Sequence, residues 1–318
     1  MTHKKLLAGC GLVCLALSAC GGGGGGGVAS IPPPPVTPPG TPPPPVTGAS
    51  VSIFSNPMVG EFASVGVSAQ TTGTGSGSAH SFGPLSNADA DQVHIRYTSG
   101  GFYEIEIPGK DWERLTIAKG TIPQDPATFN LFQPESAPQN GAFLGTSVSK
   151  LQGYKYSELG TWSDGAGKHG EIAFGEATLG SQIPQTGSAT FAGIVRGTSD
   201  VIASDSFDGT FNAPVEGTVD LNFDFAKGTL AGSMTVALNA YGPTTPIGTF
   251  AFTDTVYSAG SPTYSGKFDT ASAGDNFFLG RFTGPHAEET IGAWALPFHL
   301  SGDVAAHQAF GAWIAKQP

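Results

Sequence analysis

Charge is scarce in this chain. Asp, Glu, Lys and Arg make up 12% of its 318 residues, about half of the roughly 25% usual in a globular protein. Basic residues are the rarer kind, 14 Lys and Arg against 25 Asp and Glu, and they form no cluster. A nucleic-acid binder shows a basic face, so no nucleic-acid partner is expected. Cysteine is nearly missing: Cys10, Cys14 and Cys20 all fall in the first twenty residues. The rest of the chain can form neither a disulfide nor a cysteine zinc site. No stretch repeats its apolar residues at the 3.6-residue period of a helix. The apolar run from Leu6 to Leu17 is short for a bilayer-spanning helix. G-x-S-x-G and H-E-x-x-H are absent as well. No nucleophile–base pair or metal set is therefore legible, and the reading is of a protein that is not an enzyme.

What is abundant is glycine, with 47 residues, proline with 25 and phenylalanine with 21. That mixture suits an all-β protein with many turns. The net charge of −11 favours solubility. The chain opens with a short positive region, Met1 to Lys5, then the apolar run, then Leu17-Ser18-Ala19-Cys20. This order resembles the signal and lipobox of bacterial lipoproteins; an ordinary secretory signal with a chance cysteine is the alternative. The resemblance implies a signal peptide of residues 1–19, cleavage before Cys20, and acylation of Cys20 by palmitate-type chains. Several acyl chains on one residue anchor a protein without a transmembrane helix. Gly21 follows the cysteine in place of Asp, which in Gram-negative lipoproteins implies release to the outer membrane. Residues 20–50 then read as a tether. Gly21 to Gly27 is flexible coil, and Pro32 to Pro45 stiffens into polyproline II at about 3.1 Å per residue.

Residues 51–150 read as a first β-rich domain. Val93 to Tyr97 and Phe102 to Ile107 alternate around Ser99-Gly100-Gly101, the pattern of a hairpin. Trp112 to Ile117 and Thr128 to Phe132 are further strand candidates, and a loop is expected at Gly73 to Ser78. From Tyr154 onward turns recur about every ten residues. Val219, Leu221, Phe223 and Phe225 share one face, and Met234, Val236 and Leu238 another. Ile172/Phe174, Phe191/Val195, Phe250/Phe252, Phe278/Phe282, Trp294/Leu296/Phe298 and Phe310/Ile314 mark the remaining faces. About eight such strands can close into an antiparallel up-and-down barrel, with a β-sandwich as the alternative.

Several phrases resemble the barrel domain of transferrin-binding protein B-like surface lipoproteins. Phe282 to Gly292 matches "F-x-G-P-x-A-E-E-x-x-G", and Tyr154 to Trp162 looks like "Y-x-x-x-G-x-W", the family's first barrel strand. Gly187 to Gly193 matches "G-x-A-x-Y/F-x-G", and Val219 to Gly232 resembles "V-x-L-x-x-D-F-x-x-G-x-L-x-G". The sequence departs from the pattern in having Ile291 where a glycine is usual, and in having one barrel where transferrin-binding protein B has two lobes. The resemblance implies a handle domain at residues 51–150, a barrel at 151–318, and a surface location at the outer membrane. It also implies binding of a host or environmental protein, or of a nutrient carrier, in the manner of iron or haem acquisition.

Candidate site residues are few. Gly165 to Gly170 fits G-x-G-x-x-G, but Glu171 to Phe174 behind it reads as a strand, so a hairpin turn is expected there. His80, His94, His169, His286, His299 and His307 show no ligand spacing. Scattered surface histidines are one reading; haem ligation by one or two of them is the other, with His169 and His286 favoured by their expected loop positions. No metal is otherwise implied. Glu288-Glu289 reads as part of a turn more readily than as a catalytic pair, because neighbours on a strand face opposite ways. Barrel aromatics either fill the interior or leave a ligand cavity, and Tyr241, Tyr257 or Tyr264 could anchor a partner. Three functions stay open: a surface module binding an extracellular protein, a small-ligand or haem-binding accessory, and an envelope structural lipoprotein.

Overall fold

The computed structural model describes residues 57–72, 81–86, 93–117, 129–134, 144–147, 153–205, 209–239 and 244–318. Cys20, the tether, the expected loop at 73–78, His80 and Tyr241 lie outside the described residues. Apart from one 3-10 turn, Gly180–Gln182, the regular structure described is all β-strand.

Ten strands form one antiparallel sheet. They are Gly60–Glu61 (β1), Ala63–Thr72 (β2), Ser81–Leu85 (β3), His94–Tyr97 (β4), Tyr103–Glu106 (β5), Glu113–Ile117 (β6), Phe129–Pro134 (β7), Leu144–Ser147 (β8), Ser157–Ser163 (β9) and Lys168–Gly175 (β10). Their spatial order is β1-β4-β5-β6-β7-β8-β9-β10-β2-β3. β4 and β5 are the expected hairpin, with Ile95 opposite Ile105. Their turn is closed by the Gly101 amide donating to the Thr98 carbonyl at 3.0 Å, and Gly101 takes φ +83°, where a Cβ is strained. β1 and β2 are one run of chain interrupted at Phe62. β1 pairs with β4 and β2 pairs with β10, so this run takes the first place in the order and the next-to-last, and the sheet curls back on itself. Phe62, Ile95, Ile105, Trp162, Ile172 and Phe174 fill the curl.

Eight strands form the barrel. They are Ser188–Asp205 (β11), Gly209–Asp224 (β12), Thr229–Leu238 (β13), Thr245–Val256 (β14), Thr263–Phe268 (β15), Phe277–Thr283 (β16), Glu289–Phe298 (β17) and His307–Lys316 (β18). Each pairs with its chain neighbour, and β11 closes the ring on β18 from Ala192↔Lys316 to Ser199↔Ala309. Closure decides between the two expected architectures: this is the up-and-down barrel, not the sandwich. On β12 and β13 the alternation holds as read, with Val219 opposite Met234 and both in the core.

The barrel interior is filled. Trp294, Trp313, Tyr264, Phe278, Phe282 and Phe223 are all buried in it. Glycine makes the room: Tyr264 faces Gly280, Phe278 faces Gly266, Trp313 faces Gly292 and Trp294 faces Gly311 across the ladder. A Cβ at any of these four glycines would collide with the facing ring. Tyr257 and Tyr264, read as partner anchors, belong to this core.

Three expectations are corrected. Ser157–Ser163, read as the first barrel strand, lies in the curled sheet, as does Lys168–Gly175 with its Ile172/Phe174 pair. The reason is edge occupancy: β10 pairs along its length with β9 on one side and with Ala63–Gln70 of β2 on the other, leaving no edge for a barrel strand. The barrel thus begins at Ser188, not at residue 151. Phe310 and Ile314 point out of the barrel, while Ala309, Trp313 and Ala315 point in. Both faces of β18 are apolar, so alternation could not tell inside from outside.

That outer face is where sheet and barrel meet. All ten residues of β17 are buried. Ile291 and Ala293 of β17, with Ala312 and Ile314 of β18, pack against Val65, Leu159 and Ala173 of the sheet. Polar groups close one end of the contact. The Glu289 carboxylate accepts from the Lys155 amide at 2.6 Å and from the Tyr156 amide at 3.1 Å. Tyr154 Oη donates to the Ile314 carbonyl at 3.1 Å, and Ser157 Oγ lies 2.6 Å from Thr283 Oγ1.

Two stability predictions follow from this packing. Gly292→Ala forces a methyl into the Trp313 ring, and overpacking of this kind costs about 1–3 kcal/mol; the urea midpoint should fall with the m-value unchanged. Glu289→Ala strips two amides of their acceptor and should cost about 1–3 kcal/mol. The same change at half-exposed Glu288 should cost clearly less in the same urea titration.

Candidate functional site

The G-x-G-x-x-G phrase folds as the tip of the β9–β10 hairpin. Asp164 Oδ1 accepts from the amides of Ala166 at 2.7 Å and Lys168 at 2.9 Å, and Gly165 and Gly167 take φ +71° and +96°. No helix follows the loop, so the helix N-terminus that would bind a pyrophosphate is not there.

This turn sets the register of β10 and therefore its faces. Gly170, Ile172 and Phe174 look into the curl; His169, Glu171 and Ala173 look at the barrel. His169, expected in a loop, lies in the strand, with its ring 5.7 Å from both Phe82 and Phe310. His286 is exposed in the β16–β17 turn, its amide donating to Glu288 Oε2 at 2.8 Å. The next residue, Ala287, is buried at the barrel end with φ +60°. His169 starts β10, while the β16–β17 turn adjoins its far end, where the Gly284 amide donates to the Glu176 carbonyl. Seven strand residues at about 3.3 Å each separate the two by roughly 20 Å. The structure does not bring them together on one iron.

The other described histidines have polar partners. His94 Nδ1 lies 2.7 Å from Glu61 Oε1, and His299 Nδ1 lies 2.6 Å from Ser272 Oγ. His307 is held between Asp200 at 3.1 Å and Asp303 at 3.0 Å. Burial works against its charge, but the hydrogen bonds from Asp303 and Asp200 outweigh burial and raise its pKa. Among the described residues no three His, Cys, Asp or Glu side chains are grouped to hold a metal ion.

Glu171 is the ionisable residue that the sequence did not single out. It sits on the barrel-facing side of β10, among Val65, Val67, Leu159 and Ala173, and is 8% exposed. It lines a cleft of about 360 Å³ whose floor is β9 and β10 and whose far wall is β11 and β12. Arg196 and Glu216 line the same cleft and form an ion pair across β11–β12. No hydrogen bond to the Glu171 carboxyl occurs among the described residues. Burial pushes its pKa up to about 8, with the charge of Arg196 acting the other way. At neutral pH Glu171 is largely a neutral acid.

A pH dependence follows. The folded chain holds a proton on Glu171 between the ordinary value of 4.5 and about 8, where the unfolded chain does not. Its contribution to stability is therefore full below that window and is lost as pH rises through it. Glu171→Gln should match the parent near pH 5 and gain on it by about 1.4 kcal/mol per pH unit up to about pH 8. Urea unfolding of both proteins at pH 5 and pH 8 measures the gap.

No protein-family model and no curated protein matches the sequence. Among solved structures the chain is similar to a transferrin binding protein B from Haemophilus parasuis, with 15% identity, a TM-score of 0.40, and coverage of 81% of this chain and 45% of that one. It is similar to the haemoglobin receptor HpuA from Kingella denitrificans, with 13% identity, a TM-score of 0.39, and coverage of 80% and 87%. It is also similar to a transferrin binding protein B from Actinobacillus pleuropneumoniae, with 16% identity, a TM-score of 0.35, and coverage of 80% and 100%. The chain spans about half the length of the first transferrin binding protein B structures that it matches.

Proposed function

We propose that this protein is a binding module for an extracellular protein or nutrient carrier, held at the outer membrane by lipid on Cys20 and facing outward. It works by binding and not by catalysis. The observation that carries the reading is the filled barrel: Trp294, Trp313, Tyr264 and their neighbours leave no lumen for a small ligand. Recognition then falls to the outer surface. One barrel end offers the features of a contact face. There the loops at 269–276 and 299–306 join the strands, and β11 and β12 run on past the ladder with β18. Ile202 and Val304 are exposed at this end, Val304 almost completely. Contiguous exposed apolar patches rimmed by polar residues mark protein-contact sites, and these two side chains are the ones with which to test for one.

Similar structures are named for transferrin and haemoglobin, which makes these two the first proteins to offer in a test of an iron- or haem-acquisition role. Protease added to intact cells should degrade the protein; protection until the outer membrane is opened would overturn the outward orientation. The purified protein should bind one extracellular protein saturably, and the pair Ile202→Glu, Val304→Glu should weaken that binding at least tenfold. Haemin alone should give no saturable absorption change; a sharp one-equivalent Soret band would overturn this reading in favour of the haem-binding alternative.

A further inference from the structure

We propose that the cleft between β10 and the β11–β12 pair is a binding site for an organic cation, an alkylguanidinium or alkylammonium group, with Glu171 as its counter-ion. With Glu171 protonated the empty cleft is electrically balanced, and only the ionised carboxylate calls for a further cation. Arg196 and Glu216 form an ion pair and cancel each other. Glu171 lines the same cleft, nine-tenths buried, with the charge of Arg196 nearby but no hydrogen bond to its carboxyl from the described residues. Ionising a carboxyl at so buried a position is costly unless an opposite charge comes to it through the cleft.

The walls suit a cation on an aliphatic stem. Leu159 and Pro214 supply the apolar side chains of the lining, and Thr161 at the edge is exposed, so the cleft opens to solvent beside Glu171. Its volume of about 360 Å³ lies within the roughly 300–1,000 Å³ of small-molecule sites. An anion would meet two carboxyls and an arginine that already has its counter-ion. A cation supplies the counter-charge that Glu171 needs once its proton leaves. The cleft lies on the side of the barrel and reaches Thr198 and Pro214, four residues along β11 from Ile202, and cation binding by the purified protein requires no partner protein.

Binding has a measurable signature. Burial keeps Glu171 protonated up to about pH 8 in the empty cleft. An entering cation stabilises the carboxylate, so at pH 6 to 7 the proton leaves Glu171 for the buffer as the ion pair forms. Proton and cation compete for the same carboxyl, and affinity should rise about tenfold per pH unit until about pH 8. Glu216 matters in the opposite sense to a simple acidic patch. Glu216→Gln releases Arg196 to pair with Glu171, which should weaken cation binding although the replaced residue is half-exposed.

The test is calorimetric titration of the purified protein with n-butylguanidinium and n-butylammonium at pH 6, 7 and 8, in two buffers of different ionisation heat. Saturable one-to-one binding with roughly one proton released per cation at pH 6 to 7 is expected. Glu171→Gln should abolish the proton release and weaken binding at least tenfold. A second arm uses acetyl-Gly-Arg-Gly-amide. Binding of this peptide with the same proton release identifies the source as a partner's arginine side chain; binding of the free cations alone identifies a small metabolite. No saturation by any of the three at millimolar concentration overturns the proposal. Saturation without proton release, or release that persists in Glu171→Gln, overturns it too. If Glu171→Gln fails to fold, the parent's proton count and the Glu216→Gln titration still decide.

Discussion

Burial of β17 and β18 on both faces is the constraint on which the rest of the molecule depends. Their inner faces carry Trp294, Leu296 and Trp313 into the barrel, and their outer faces carry Ile291, Ile314 and Phe310 against the sheet. A strand with one wet face alternates; these two cannot. Sheet and barrel therefore share a wall, and neither could be removed without exposing an apolar face of the other. Glu289 stands at the end of that wall, its carboxylate spent on two backbone amides of the segment leading into β9. The sequence phrase around it is thus structural: Gly284 and Ala287 make the turn with positive φ, Ala287 closes the barrel end, and Glu289 ties the sheet on.

The same wall explains where function can and cannot reside. Rings that fill the barrel exclude an enclosed ligand, and the facing glycines show that the filling is accommodated strand by strand. Most of the sheet–barrel contact is apolar. Beside it, along β10, the contact opens into a cleft, and there Glu171 sits between His169 and Ala173 on the barrel-facing side, opposite Val67 and Thr161. An acid in such a place is retained against its desolvation cost.

Much of the architecture was legible in the sequence. Period-two alternation gave the β12–β13 hairpin its faces, and turn residues located the β4–β5 and β9–β10 hairpins. Alternation failed where both faces are covered: Phe310 and Ile314 mark one face of the last strand, but nothing local shows that Trp313 and Ala315 are the inward set. Long-range pairing failed for the same reason. That β2 would take the free edge of β10 depends on contacts between residues far apart in the chain, which a local pattern does not encode. Glu171 was missed because one acid in an apolar run reads as the wet side of an alternating strand; only the barrel lying over that side makes it buried. The histidine reading rested on expected loops, and His169 proved to be in a strand because Asp164 sets the turn one residue earlier.

The segment at 60–72, which takes two separate places in the curled sheet, has a kinetic consequence. Gln70 finds its ladder partner in Lys168, roughly a hundred residues further on, and closing loops of that length belongs to the slow class of folding events. The barrel repeats the arrangement, since Ala192 waits for Lys316. Until the last strand exists, β11 has an open edge and the outer wall that should cover β2 is missing. Local hairpins such as β4–β5 need no distant partner, but β2 and β11 each keep an unpaired edge until β10 and β18 exist.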